Sequence, residues 1–187
     1  MVIIVRDKKE NQKIYIMCAY TGTWFSRAIK LFTRSKYVHL SIAFDPELKE
    51  IYSFGRKDPR HILPAGFNKE NLDEMIEVYK NVSCCVYEID VSKYDIKKLK
   101  KDVNKYVKEE EKYRYDILGL SLILVGKSYN RKYHRVCSQF VGKLLQDNDV
   151  YNFKKHYSLI RPKDFYMMEP KRVIFQGILN DYINQLR

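Results

Sequence analysis

"KYVHLSIAFD", residues 36–45, decides how the chain folds, because its side chains alternate at every step. Val38, Leu40, Ile42 and Phe44 are apolar, while His39, Ser41 and Ala43 between them are polar or small. A period of two is the signature of a strand with one face in a core. Next, "DPELK" (45–49) places Pro after Asp, as a tight turn does, and "EIYSFG" (50–55) returns as a second strand. The pair is therefore a hairpin, and the sheet containing it is mostly antiparallel.

Upstream of the hairpin, "QKIYIMCAY" (12–20) has the β-branched and aromatic density of a strand. "GTWFSRAIKLFTRS" (22–35) follows as a helix behind the cap Thr23, with Trp24, Ala28, Leu31 and Phe32 at helical spacing. Downstream, residues 56–75 carry Pro59, Pro64, Gly66 and several charges, and read as a long surface loop able to cover a cleft. "SCCVYEIDV" (83–91) is a further strand, and Ser92 caps a long helix whose buried stripe is Ile96, Leu99, Val103 and Val107. "YRYDILGLSLILVG" (113–126) reads as a buried helix, "IRPKDFYMM" (160–168) as a turn begun by Pro162, and "KRVIFQGIL" (171–179) as the last strand. No repeat or Gly/Ser/Pro-rich linker interrupts the 187 residues, so the expectation is one α+β domain over 1–187, its mostly antiparallel sheet packed on helices.

The hydrophobic share of 45% is enough to bury a core. Cys18, Cys84, Cys85 and Cys137 lack paired zinc spacing, and the adjacent Cys84 and Cys85 suit neither a ligand pair nor an ordinary disulfide. Reduced thiols in the cytoplasm and no metal are expected. "MVIIV" at the start is too short for a signal-peptide core, and "ILGLSLILVG" is about half a membrane span. The formal charge of +12 invites a nucleic-acid partner, but Lys and Arg are spread along the chain and mixed with acids in "KKLKKDVNKYVKEEEK". That distribution argues against a dedicated nucleic-acid groove and allows a peripheral contact with anionic surfaces.

The chemistry turns on "HRVCSQFVGKLL", residues 134–145. Polar and basic residues precede Cys137, and Phe140, Val141, Leu144 and Leu145 give an apolar helical face after it. A thiol at a helix N-terminus is ionised more readily, because unpaired backbone N–H groups and the macrodipole favour the thiolate. Counting back three and four residues from Phe140 and Val141 also reaches Cys137, so a packing role fits the same spacing. A catalytic base has four candidates. His61, His134 and His156 lie in charged or loop-like segments, and only His39 lies within a strand, where Ser41 and Ala43 leave room for a cleft. A strand histidine and a helix-start cysteine together suit nucleophilic catalysis.

The order of these segments resembles the circularly permuted papain-like amidases of the NlpC type, including the bacterial YiiX-like proteins, lecithin:retinol acyltransferase relatives and a poxvirus protein. "HLSIAFD" resembles the histidine strand of that family, "YRYD" its Tyr-Asp step, and "VCSQFV" its cysteine-helix start, over roughly residues 14–165. The resemblance implies the permuted papain-like fold, Cys137 as nucleophile and His39 as base. It also places the residue that orients the imidazole on the next strand, where Tyr52 stands at the usual position and Ser53 beside it. Relatives often have an acid there, and this chain does not.

The activity expected is a cysteine hydrolase or acyl transfer without a cofactor. Its substrate is an amide or ester bond in a peptide, a cell-wall peptide or a lipid. The backbone N–H of Cys137 or Ser138 would stabilise the oxyanion. Arg27, Arg56 and Arg135 would favour a carboxylate or phosphate on the substrate. The alternatives are a nucleic-acid or anionic-surface binding module, and an inactive relative used for protein contacts.

Overall fold

The computed structural model describes residues 11–124 and 126–186, with the side chains of Asn11, Phe32 and Leu124 left aside. The expectation drawn from "MVIIV" concerns residues 1–5, outside that range, as does Val125 of the apolar run.

In chain order the elements are β1 (Asn11–Tyr20), α1 (Trp24–Thr33), β2 (His39–Ala43), β3 (Ile51–Arg56), β4 (Ala65–Lys69), α2 (Leu72–Tyr79), β5 (Ser83–Ser92) and α3 (Lys93–Lys108). There follow β6 (Arg114–Tyr115), α4 (Ile117–Leu124), β7 (His134–Arg135), α5 (Cys137–Asp147), α6 (Pro162–Tyr166), β8 (Arg172–Ile178) and α7 (Leu179–Leu186). The α+β class and the mostly antiparallel sheet are as expected. Six strands form one sheet in the order β4-β3-β2-β1-β5-β8, with every neighbouring pair antiparallel. The two-residue strands β6 and β7 pair separately, in parallel.

Both faces of the sheet are covered. On one, Leu40, Ile42 and Phe54 pack with Leu99 and Val103 of α3 and with Phe140, Val141, Leu144 and Leu145 of α5. On the other, Met17, Ala43 and Ile51 pack with Leu72 of α2 and with Leu179, Tyr182 and Ile183 of α7. Strand alternation explains the division, since Leu40 and Ile42 point one way while His39, Ser41 and Ala43 point the other. The fully buried Phe140 ring sits 5.3 Å from Phe54 and 5.1 Å from Tyr106, centroid to centroid. Each such buried aromatic or aliphatic side chain contributes about 1.5–3 kcal/mol. This packing lays α5 across β2 and β3 and fixes the height of its first residue, Cys137.

Several local expectations need correction. Residues 56–75 are not one loop: β4 pairs with β3 through Phe54↔Phe67, and α2 begins behind Asn71, whose side chain accepts from Glu74 N–H. The prolines sit in the connection between β3 and β4, where no ladder hydrogen bond is lost. Trp24 and Leu31 are exposed, because α1 turns Phe25 and Ile29 inward instead. In α3 the Ser92 cap is present as a capping box with Asp95, and Leu99 and Val103 are buried, but Val107 is exposed near the helix end. In α4, Ile117 and Leu118 are exposed and Ile123 is buried. Among the described residues, no helix is long and apolar enough to cross a membrane.

Candidate active site

His39 is the first residue of β2, and Cys137 is the first residue of α5. By alternation His39 belongs to the sheet face opposite α5, yet the two meet because both stand at the end of the strand. Cys137 Sγ lies 3.8 Å from the carbonyl oxygen of Val38, the residue before His39. The thiol is also close enough to the His39 ring to contribute to raising its pKa. Nε2 of the ring is occupied by a carboxylate, which leaves Nδ1 free of that bond.

That carboxylate is Glu70, between β4 and α2. His39 Nε2 donates to Glu70 Oε1 at 2.5 Å. Ser53 Oγ donates to the same oxygen at 2.6 Å, and Ser41 Oγ donates to Oε2 at 2.7 Å. The register Ser41↔Ser53 places both hydroxyls side by side beneath the carboxylate. Ser53 Oγ is also 3.3 Å from His39 Nε2. Gly55 is what allows the ring to lie there: a Cβ at that position would come within 3.1 Å of His39 Cε1.

The electrostatics follow from this arrangement. Burial of the imidazole works against its charge, but the Glu70 carboxylate, the neighbouring Cys137 sulfur and the hydrogen bond to Glu70 outweigh burial and raise the His39 pKa to about 10. Burial likewise opposes charge on Glu70, and His39 with the two serines overcomes it, so its pKa is lowered. At neutral pH the pair is an imidazolium held by a carboxylate.

Cys137 is 3% exposed at the helix start. Its own N–H and those of Ser138 and Gln139 belong to the first turn, which has no helical acceptors. The first i→i−4 bond of α5 runs from Phe140 N–H to Val136. Ser138 Oγ donates to the Ile160 carbonyl and Gln139 Nε2 to the Ser158 carbonyl, so these two side chains anchor the turn. Gln139 Oε1 accepts from Val136 N–H, closing the helix start.

Tyr115 lies near the sulfur. Its pairing with Arg135 across β6 and β7 brings it next to the start of α5. Burial pushes its phenol well up, and the nearby Cys137 and Asp116 add to that. Asp116, itself buried, accepts from Gly119 N–H and thereby caps the start of α4.

A cleft opens beside the ring. Val38, His39, Glu70 and Tyr115 line one side, and Phe25, Ile29, Ile62 and Met75 line its apolar side. Arg56 also lines it, with Nη1 donating to Tyr79 Oη and Nη2 to Thr23 Oγ1, both at 3.0 Å. Arg56 thus enters the cleft bonded to neutral oxygens, without a carboxylate partner among the described residues.

Of the expected residues, the structure brings together Cys137, His39 and Ser53, with Ser138 in the adjoining turn. Tyr52 does not reach the ring: it faces the α5 side and stacks on Phe67 at 6.0 Å. Adjacent strand residues point to opposite faces, so Ser53 and Tyr52 cannot both approach His39. Arg27 lies outside the cleft, donating from Nε to the Gly22 carbonyl, and Arg135 packs over Tyr157. The other histidines are engaged elsewhere: His61 with Asp58, His134 with the Lys132 carbonyl and His156 with Ser158. Among the described residues, no group of three or more His, Cys, Asp or Glu side chains is placed to hold a metal ion.

Reading residues 56–75 as a loop does not single out Glu70. The signal was in "NKENLDEM": Asn71 is a cap, Asp73 and Glu74 sit in the first turn, and Leu72, Met75, Ile76 and Tyr79 have helical spacing. No family model matches the chain, and neither the curated proteins nor the solved structures yield a significant match.

Proposed function

We propose that this protein is a thiol-dependent hydrolase or acyl-transfer enzyme acting on an amide or ester, with Cys137 as nucleophile and His39 as acid–base. The observation that carries the reading is the His39–Glu70 hydrogen bond at 2.5 Å beside the helix-start sulfur of Cys137, whose Sγ lies 3.8 Å from the carbonyl oxygen of the residue before His39. The succession of histidine strand and then cysteine helix, on an antiparallel sheet, supports assignment to the circularly permuted papain-like fold of the NlpC type. The four cysteines are free thiols and support a reducing, cytoplasmic setting.

In the first half-reaction the Cys137 thiolate bonds to the substrate carbonyl carbon, and the carbonyl π electrons move to oxygen. First-turn N–H groups of α5 stabilise that oxyanion. The oxyanion collapses, the bond to the leaving nitrogen or oxygen breaks, and the His39 imidazolium supplies the proton that the leaving group needs. A thioester remains on Cys137. Water, or another nucleophile in acyl transfer, then gives its proton to His39 as it attacks the thioester, and the thiolate departs beside the regenerated imidazolium. Glu70 fixes the tautomer and orientation of the ring throughout, with Ser41 and Ser53 holding Glu70.

Trapping tests this directly. Intact-mass analysis with a panel of activated amides and esters is expected to find an acyl adduct on Cys137 that decays in wild type. If no member of the panel leaves an adduct or product, the reading fails.

Arg56 gives the cleft a preference for an anionic group, since a charge-assisted hydrogen bond to a carboxylate or phosphate is stronger than its bonds to neutral oxygens. Arg56→Gln is expected to raise KM about tenfold or more for anionic substrates and to leave that for neutral analogues near wild type. Steady-state kinetics on matched substrate pairs checks it.

A further inference from the structure

We infer that the mouth of the cleft is a docking surface for an anionic lipid bilayer. Two elements bring exposed apolar side chains onto the lining of this mouth, and a third, α1, carries exposed apolar side chains beside its own lining residues. Helix α1 contributes Phe25 and Ile29 to the cleft wall and leaves Trp24 (68% exposed) and Leu31 (76%) in solvent. The connection between β3 and β4 contributes Ile62 (43%) and Leu63 (65%), both on the cleft lining. The start of α4 contributes Ile117 (56%), also on the lining, with Leu118 (50%) beside it. Scattered single apolar residues on a surface need no explanation, but three elements converging on one opening do.

The charges at the mouth select the partner. At 3.6 residues per turn, Trp24, Ala28 and Leu31 form a narrow outward stripe on α1. Arg27, Lys30 and Arg34 run along one flank of it, and the cleft-facing Phe25 and Ile29 lie on the other flank. Among the described residues, none of these three cations is paired with a carboxylate: Arg27 bonds to the Gly22 carbonyl and Lys30 lies 4.3 Å over the Tyr20 ring. The sequence between residues 11 and 44, and again between 117 and 146, contains no Asp or Glu and carries five Lys or Arg in each stretch. An apolar stripe edged with unpaired cations matches the boundary between acyl chains and anionic headgroups, with the long basic side chains reaching up to the phosphates.

Joined to the Cys137–His39 chemistry, and resting on that proposal, this surface makes the substrate a lipid amide or ester delivered from the bilayer into the cleft. The docking itself does not need turnover, so it is tested in the full-length Cys137→Ala protein.

Trp24 is the chain's one tryptophan and serves as the probe. Vesicles of phosphatidylcholine with 30% phosphatidylserine are expected to shift its emission to the blue and to carry the protein with them in flotation, whereas pure phosphatidylcholine does neither at 0.1 M salt. The triple variant Arg27→Gln, Lys30→Gln, Arg34→Gln loses roughly fivefold in partitioning per cation, about 100-fold together. Leu31→Ser with Leu63→Ser weakens binding at all salt concentrations, and circular dichroism verifies that both variants stay folded. An unmoved Trp24 emission with anionic vesicles, equal binding to neutral ones, or a blue shift produced by raising protein concentration alone would overturn the inference. The last result would instead make this face a contact between two copies of the chain.

Discussion

Glu70→Gln is expected to lower kcat by about 10²–10⁴, with a smaller change in KM. The expectation rests on the place of Glu70 behind the imidazole: its carboxylate accepts from His39 Nε2 and is itself held by Ser41 and Ser53. A side-chain amide at this position can offer an N–H to the ring as readily as an oxygen, and removing the orienting carboxylate of a catalytic triad has effects in this range. The His39 pKa, raised to about 10 in the wild type, then falls, because the charge that most strongly opposes the effect of burial is gone. Steady-state kinetics and NMR titration of the His39 ring measure the two changes, and an unaltered kcat would remove Glu70 from the relay.

The same pair sets a pH window for stability. His39 has a folded pKa above its ordinary 6.5, so its contribution is fully present below about 6.5 and is lost as the pH rises through about 10. Glu70 has a folded pKa below its ordinary 4.5, so its contribution is present above that value and is lost on acidification through the lowered one. The pair therefore stabilises the fold most between about pH 4.5 and 6.5, and its contribution falls progressively as the pH rises from there to about 10. In Glu70→Gln this part of the pH dependence flattens.

Cys137→Ala has the largest expected effect on turnover, a loss of about 10⁶-fold, as for removal of the nucleophile of a comparable relay. Because Cys137 is buried against the α5 core, the variant is expected to remain folded with a modest loss of stability. Assays of the purified variant against the substrate found for the wild type give the ratio, and turnover retained within tenfold would place the nucleophile elsewhere.

The strands that carry the site were legible because residues 36–55 obey a strict period of two around a turn. That alternation put His39, Ser41 and Ser53 on one face, and it also rules out Tyr52, which the family resemblance had favoured. The start of α5 was legible because Val136 and Cys137 mark the change from polar sequence to helical apolar spacing. Glu70 was hidden by Pro59 and Pro64, which belong to the connection before β4, and by Gly66, which reads as loop but lies within that five-residue strand. The outward turn of Trp24 and Leu31 was hidden for another reason. Helix α1 has apolar residues on two sides, and spacing alone does not say which side meets the protein.

The central proposal is that Cys137 is the nucleophile and His39 its acid–base partner. The most direct measurement is the rate of iodoacetamide addition to Cys137 at pH 7, followed by peptide mass mapping to separate it from Cys18, Cys84 and Cys85. The prediction is a rate at least tenfold higher in wild type than in His39→Ala, with Glu70→Gln between them. Equal rates in wild type and His39→Ala would contradict it.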